Sequence, residues 1–267
     1  MAQPSSVSLI SDYGFAEDEN YMYRSSMEDT HLYVQDAGPE KENIFLGVFD
    51  GHGGTSAAQF ARDNIHKIFL DMCAANPSAT MPSILADTFK MTDKKMEKTD
   101  IDFDGCTAAV IYIKKEEKDS KIIKKIYSAN CGDARSILVR NGRGLRLSYD
   151  HKPTLTEEQE RIRGAGGFVS MGRVNGILAV SRALGDFEMK KYVICDPFVS
   201  ETIVDPENDT HIIIACDGVW DVLSDDEVAQ IVTEKKASGC EQAAKAVKQK
   251  ALTAGSTDNI SVMVVQL

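Results

Sequence analysis

Apolar residues along the chain fall into short runs separated by polar breaks, and the spacing inside each run points to an element. Residues 44–49 (IFLGVF), 108–113, 122–129, 136–140, 177–180, 210–216 and 260–265 are short and rich in aliphatic and β-branched side chains. These features predict strands. Asn141 and Gly142 follow the fourth of them as a two-residue hairpin turn. Over 55–72 the pattern changes period: Ala57, Ala61, Ile65, Ile68 and Met72 recur at helical spacing and predict a buried helix face. Thr154 with Glu157, and Ser224 with Glu227, match the capping box and predict two helix starts, and 240–252 reads as a further helix. The charged run from Lys114 to Lys125 separates two apolar segments and reads as the exposed end of a hairpin, with a basic docking site as the alternative. Many strands with interspersed helices, lacking one-to-one alternation, predict a mainly antiparallel α+β sandwich rather than a doubly wound parallel sheet.

Composition narrows this picture without changing it. The 267 residues are 43% hydrophobic and 27% charged, enough for a sizeable core and too apolar for a disordered chain. No linker, repeat or low-complexity tract divides the chain. Thirty Lys and Arg against 41 Asp and Glu give a net charge of -11, the opposite of a broad nucleic-acid-binding surface. Six cysteines (Cys73, Cys106, Cys131, Cys195, Cys216, Cys240) lack CxxC spacing, which suggests no zinc site and a reducing compartment. The N-terminus has no leader-like run, Ala2 excludes myristoylation, and the longest apolar run, 212–216, falls far short of the roughly 20 residues of a membrane span. A cytoplasmic protein, with a nuclear location also open, is expected.

The placement of aspartates carries the chemistry. Asp50 closes IFLGVF and precedes GHGG, and Asp217 closes HIIIAC and precedes GVWD. Asp133 follows SANCG, Asp186 ends SRALGD, and Asp258 stands just before the last strand. A carboxylate at a strand end followed by glycine lets side chain and backbone approach one cation together. Hard divalent cations such as Mg2+ and Mn2+ favour such oxygen-only sites. Any one Asp-Gly pair reads more simply as a turn. Five in comparable positions point to a clustered acidic site.

RSSMEDTH from Arg24, VFDGHGG from Val48, DGCTAAV from Asp104, ANCGDAR from Ala129, DHKP from Asp150, RVNGILAVSRALGD from Arg173, ACDGVWDVLS from Ala215 and GSTDNISVMVV from Gly255 occur in one order. Together they resemble the metal-dependent type 2C serine/threonine protein phosphatases, over nearly the whole chain. The resemblance implies a four-layer α-β-β-α sandwich of two mainly antiparallel sheets flanked by helices, with a two-metal cleft at one end. It also implies a single catalytic domain over 24–267, with 1–23 as its first strand or a linker. By the family pattern Asp50 bridges two Mg2+ or Mn2+ ions, Asp217 and Asp258 complete one site, and Glu28 with the Gly51 carbonyl completes the other. Asp133, with Asp217 and Asp221, matches a possible third site, and Asp29 and Asp186 orient water. Arg24 resembles the arginine that grips the substrate phosphate, a task suited to a planar fork of donors. His52 resembles the general acid that protonates the leaving oxygen. The remaining histidines, His31, His66, His151 and His211, read as structural.

The implied reaction is direct attack of a metal-bridging hydroxide on phosphoserine or phosphothreonine, with phosphoproteins as partners and a monomeric domain. No CxxxxxR, GDxHG, GNHE or GxxxxGK motif points to another phosphatase or a P-loop protein. Two alternatives share the motifs: a pseudophosphatase acting as a binding module, which would have lost a bridging aspartate, and a hydrolase of a non-protein phosphate ester. Cys106, Cys131 and Ala134 depart from the family pattern, and the two thiols suggest oxidation-sensitive activity. The chain stops after its last predicted strand, as a bare catalytic domain would. Residues 161–186 correspond to a variable flap beside the cleft, with Arg173 a possible substrate contact.

Overall fold

The computed structural model describes residues 9–38, 42–118 and 120–267. The first eight residues, Ala2 among them, and Asp119 of the charged run lie outside the described residues. In chain order the first half holds β1 (Asp12–Asp18), β2 (Thr30–Gln35), β3 (Ile44–His52), α1 (Ser56–Ala75), α2 (Met81–Met96), β4 (Gly105–Lys118) and β5 (Lys121–Cys131). The second half holds β6 (Arg135–Arg140), β7 (Arg143–Arg146), α3 (Thr156–Gly164), β8 (Val169–Ser170), β9 (Arg173–Val174), β10 (Leu184–Gly185), β11 (Phe198–Ile203), β12 (Asp209–Ala215), α4 (Asp217–Trp220), α5 (Asp225–Lys235), α6 (Cys240–Thr253) and β13 (Ile260–Gln266).

One sheet runs β1-β13-β12-β6-β7 and the other β11-β5-β4-β3-β2, with β10 paired to β4. Every pairing within them is antiparallel. Strand alternation divides the side chains among three layers of core. Ile44, Leu46 and Val48 of β3 meet Ile212, Ile214, Met263 and Val265 between the sheets. Phe45 and Phe49 of the same strand turn the other way, onto Ala57, Ala61, Ile65 and Phe69 of α1 and Phe89 of α2. Ile213, Ala215 and Val264 pack on Val228 and Val232 of α5 and on Val247 of α6. The result is the expected four-layer α-β-β-α sandwich.

The hairpin readings hold in detail. Asn141 and Gly142 both take positive φ, 53° and 74°, between β6 and β7, as the two-residue turn requires. The charged run is the end of the β4–β5 hairpin, with Lys118 opposite Lys121. Ser224 caps α5 with the full reciprocal box to Glu227.

Two expectations fail. Residues 177–180 form no strand: Asn175 and Gly176 turn the chain at positive φ, and Leu178 and Val180 pack on Ile162, Val174 and Val193 in a small core of the flap itself. The α3 helix starts at Thr156 with Leu155, which has no side-chain acceptor, at the N-cap position one residue past Thr154, and the Glu157 carboxylate accepts from the Tyr149 hydroxyl. Unpredicted elements also emerge. The buried face of α2 includes Thr88 and Thr92, whose hydroxyls donate to the Ile84 and Thr88 carbonyls at 2.7 and 2.8 Å. Its apolar periodicity is therefore broken by threonines. The strands β1, β2 and β11 are sheet edges with mixed exposure, and Tyr13 stacks on Tyr33 (4.1 Å) and Phe15 on His31 (3.4 Å).

Candidate metal centre and active site

The alternation that builds the core also delivers the acidic groups. Asp50 continues the series Ile44, Leu46, Val48 and leaves the inter-sheet layer at one end of the sandwich. Cys216 continues Ile212 and Ile214 from the facing sheet, and Asp217 follows it as the first residue of α4. Asp133 is buried in the link between β5 and β6. Glycines make room where these segments meet. A Cβ on Gly218 would lie 2.0 Å from the Asn259 carbonyl oxygen, and one on Gly51 would lie 2.4 Å from that of Glu28. Asp217 is thereby set beside Asp258, and Asp50 beside Glu28.

Carboxylate oxygens of Asp50, Asp133 and Asp217 all lie within 4.8 Å of one another, and Asp29, Asp50 and the Cys216 sulfur form a second such group. Each charged pair at that separation repels by on the order of 3 kcal/mol at an effective dielectric of 20. The consequence is proton uptake. Burial, then the charges of Asp217, Asp29 and Asp133, push the Asp50 carboxyl well above its usual range. Burial and the charges of Asp133 and Asp258 do the same to Asp217. Asp29 rises to about 6, through burial first and the charge of Asp258 in addition. One oxygen each of Asp29 and Asp133 is buried with no hydrogen-bond partner. Crowded, desolvated and partly unpartnered carboxylates suit divalent cations, which would offset the repulsion and take the free lone pairs. Glu28 and Asp258 lie outside both groups. The Glu28 backbone N–H donates to Asn259 Oδ1 (2.9 Å), and Asp258 accepts from Arg24.

The other expected residues surround this cluster. His52 Nε2 lies 2.9 Å from the buried carboxylate of Asp186, whose backbone takes φ 52° just after β10. Burial opposes the imidazolium, but the Asp186 hydrogen bond and charge, with Asp133 and Glu28 nearby, raise the His52 pKa overall. Arg24 is exposed and also donates to the Thr257 carbonyl (3.3 Å). Exposed Asp221 is reached through Lys152, whose ammonium lies 3.2 Å from Asp133 and 2.7 Å from Asp221. The lysine of DHKP is thus a site residue that motif reading left without a role. Asn259 is another. Its side-chain amide donates to the Glu19 and Ser26 carbonyls, so it ties the segment bearing Arg24 and Glu28 to the start of β13. Cys216 is a third, and its place two residues after Ile214 on the inter-sheet face is the signal that marks it.

Cys106 and Cys131 do not bear out the expected oxidation sensitivity. Both are fully buried, and burial pushes their thiols well above the usual range, away from the reactive thiolate. All six cysteines are free thiols. Arg173 bonds the Ile177 carbonyl of its own flap at 2.7 Å. His151 is buried against Gly132, its pKa lowered to about 4 by burial, and it supports the Asp133 loop. No helix among the described residues is long and apolar enough to cross a membrane.

Residues 13–260 match the family model described as protein phosphatase 2C. Protein phosphatase 2C homolog 1 of Schizosaccharomyces pombe is 40% identical over 255 residues, covering 95% of this chain and 72% of the relative. Its namesake in Saccharomyces cerevisiae is 37% identical, covering 95% and 92%. Among solved structures, a sex-determining protein of C. elegans superposes with a TM-score of 0.82 at 26% identity, over 96% of this chain and 64% of that one. A phosphatase from Toxoplasma gondii shares the fold, with a TM-score of 0.80 at 22% identity over 97% and 96%.

Proposed function

The chain belongs to the protein phosphatase 2C family and is a metal-dependent serine/threonine protein phosphatase, and we propose that it hydrolyses phosphoserine and phosphothreonine in proteins by direct attack of water, without a phosphoenzyme. The observation that carries this reading is the convergence of Asp50, Asp133 and Asp217 at one end of the sandwich. Two Mg2+ or Mn2+ ions would be held by Asp50 between them, with Asp217 and Asp258 on one side and Glu28 with the Gly51 carbonyl on the other. Asp133 and Asp221 would hold a third. When bound, such ions supply a water acidified toward neutrality and positive charge facing the phosphoryl oxygens.

The chain's own groups do the rest. Arg24 stands at the margin of the cluster with a planar fork of donors, suited to two phosphoryl oxygens and to fixing the ester in line. His52 donates from Nε2 to Asp186, so the imidazolium proton on Nδ1 is the one available to the leaving seryl or threonyl oxygen. Against the opposing effect of burial, the Asp186 hydrogen bond and charge favour retention of that proton. Asp29, buried behind Asp50, orients water and shares charge with the cluster. The bridging, terminal and Asp-Gly carboxylates are all present, which disfavours a pseudophosphatase. The free cysteines fit a reducing compartment such as the cytoplasm. Residues 24–267 act as one catalytic domain, to which β1 of the preceding segment adds an edge strand against β13.

A phosphothreonine peptide assayed with Mn2+ and with Mg2+ tests this. Turnover should vanish in excess chelator and fall at least about 100-fold in Asp50→Ala and Asp217→Ala. Wild-type turnover under either condition would overturn the metal assignment.

A further inference from the structure

A cavity adjoins the residues of the reacting centre. It encloses about 350 Å³ between the loop before β4, the flap and the segment after β10. Its walls are apolar: Phe103, Ile177, Leu178 and Tyr192. Phe103 is 68% exposed and Ile177 62%, so two large hydrophobic side chains stand uncovered at its mouth. Asp186 lines the same cavity while its carboxylate holds His52. The cavity therefore shares a wall with the proposed general acid, and whatever fills it sits close to the scissile ester.

The charged groups of the lining are all acidic, beside the neutral amide of Asn175. Asp102 and Glu188 are exposed and line the cavity, and among the described residues neither makes an ion pair. No lysine or arginine lines it. Of the cations that follow Glu188 in sequence, Lys190 pairs with Asp93 at 2.9 Å, while the Lys191 ammonium lies 5.5 Å from the centre of the Tyr192 ring that forms one wall, without pairing with either acid. An apolar slot with an aromatic side and two unpaired carboxylates fits a long cationic side chain, whose methylenes cover the walls while the charged head reaches the acids. A leucine would satisfy the walls and leave the acids unused, and a glutamate would be repelled.

We propose that this cavity is a specificity subsite for an arginine or lysine flanking the phosphorylated residue, so that the substrates are phosphoproteins with basic residues next to the phosphoserine or phosphothreonine. The assignment rests on the phosphatase reading above. Arginine and lysine share the required chemistry, and arginine is favoured by the planar stack it can make on Phe103.

The test is a set of phosphothreonine peptides carrying Arg, Ala, Leu or Glu at each of the three positions on either side, hydrolysed by the wild type in Mn2+. Arg should exceed Ala and Leu roughly tenfold in kcat/KM at one or two positions on one side, with Glu poorer still. The double variant Asp102→Lys/Glu188→Lys should lose the Arg preference and gain one for Glu there, while turnover of p-nitrophenyl phosphate, which has no flanking residue, stays within about twofold. Equal rates for Arg and Ala at all positions would overturn the subsite. So would Leu matching Arg with no response to charge reversal, since the cavity would then select apolar side chains. Absence of p-nitrophenyl phosphate turnover in the wild type would overturn the phosphatase reading instead, and the subsite with it.

Discussion

Asp29 offers a quantitative probe of the acidic centre, because its substitution by asparagine removes one buried charge and changes volume little. Its carboxyl titrates near 6 in the folded protein against 3.8 when unperturbed. The folded pKa is the higher, so protonation favours the fold: the contribution is fully present below 3.8 and is lost as pH rises through about 6. In the metal-free protein the resulting penalty is roughly 1–2 kcal/mol at pH 5 and about 3 kcal/mol at pH 7.5, a difference of roughly 1–2 kcal/mol. Wild-type stability alone would not reveal it. Burial lowers His151 and His211 to about 4, and these groups lose stability in the opposite direction, as pH falls below 6.5. The difference between Asp29→Asn and wild type cancels them. Thermal unfolding in chelator should therefore show the variant gaining on wild type by about 3–5 °C between pH 5 and 7.5. Saturating Mg2+ should flatten that slope, since a cation replaces the proton as the partner of the cluster. A difference independent of pH in chelator, or one of opposite sign, would refute the electrostatic account of the centre.

Three further outcomes follow from the geometry. His52→Gln should lower turnover of alkyl phosphates about 100-fold or more while leaving Mn2+ binding by calorimetry intact, with a smaller loss for p-nitrophenyl phosphate, whose leaving group needs no proton. Arg24→Ala should cost about 10- to 100-fold in kcat/KM, the value of a charge-assisted pair of hydrogen bonds, without shifting the unfolding midpoint. Glu158 is buried between Arg161 and Arg182, which outweigh the opposing effect of burial and hold its carboxyl down at about 2. Its stabilisation is present above the usual carboxylate range and is lost as pH falls through about 2. Glu158→Gln should therefore cost about 3 kcal/mol in urea unfolding at pH 7 and shrink to little near pH 2.

The central strands were legible because both of their faces are buried, so 44–49, 108–113 and 210–216 are apolar whichever way each residue points. Edge strands carry no such signal: β2 and β11 have only half-buried and exposed positions, β1 buries only Gly14 and Ala16, and Tyr13, His31 and Tyr33 stand where aliphatics would have marked β1 and β2. Helix α2 escaped for a different reason, since Thr88 and Thr92 satisfy their hydroxyls within the helix and can then be buried like hydrophobes. Asp50 and Asp217 were found because each closes an apolar run before glycine, and Asp133, Asp186 and Asp258 because they fall in comparable places beside motifs. Lys152 and Asn259 were not, because a lysine in a turn and an asparagine before a strand have ordinary local uses. Only the fold shows that one bridges Asp133 and Asp221 and the other joins segments more than 200 residues apart in sequence.

The acidic balance of the chain acquires a location from this arrangement. Glu28, Asp29, Asp50, Asp133, Asp186, Asp217, Asp221 and Asp258 supply eight carboxylates at or beside one cleft, against a net charge of -11 for the whole chain. The remaining surface is close to balanced, so it neither attracts nor repels a phosphoprotein strongly at a distance. In the absence of cations the cleft itself would repel phosphate, and its carboxylates take up protons to relieve their own crowding. Cations reverse the local sign while the acids of the adjoining cavity, Asp102 and Glu188, stay free. A substrate presenting a phosphate beside a basic side chain then meets a positive centre flanked by a negative slot. That pairing discriminates by the order of charges along the substrate, and a nearly neutral surround leaves it unmasked.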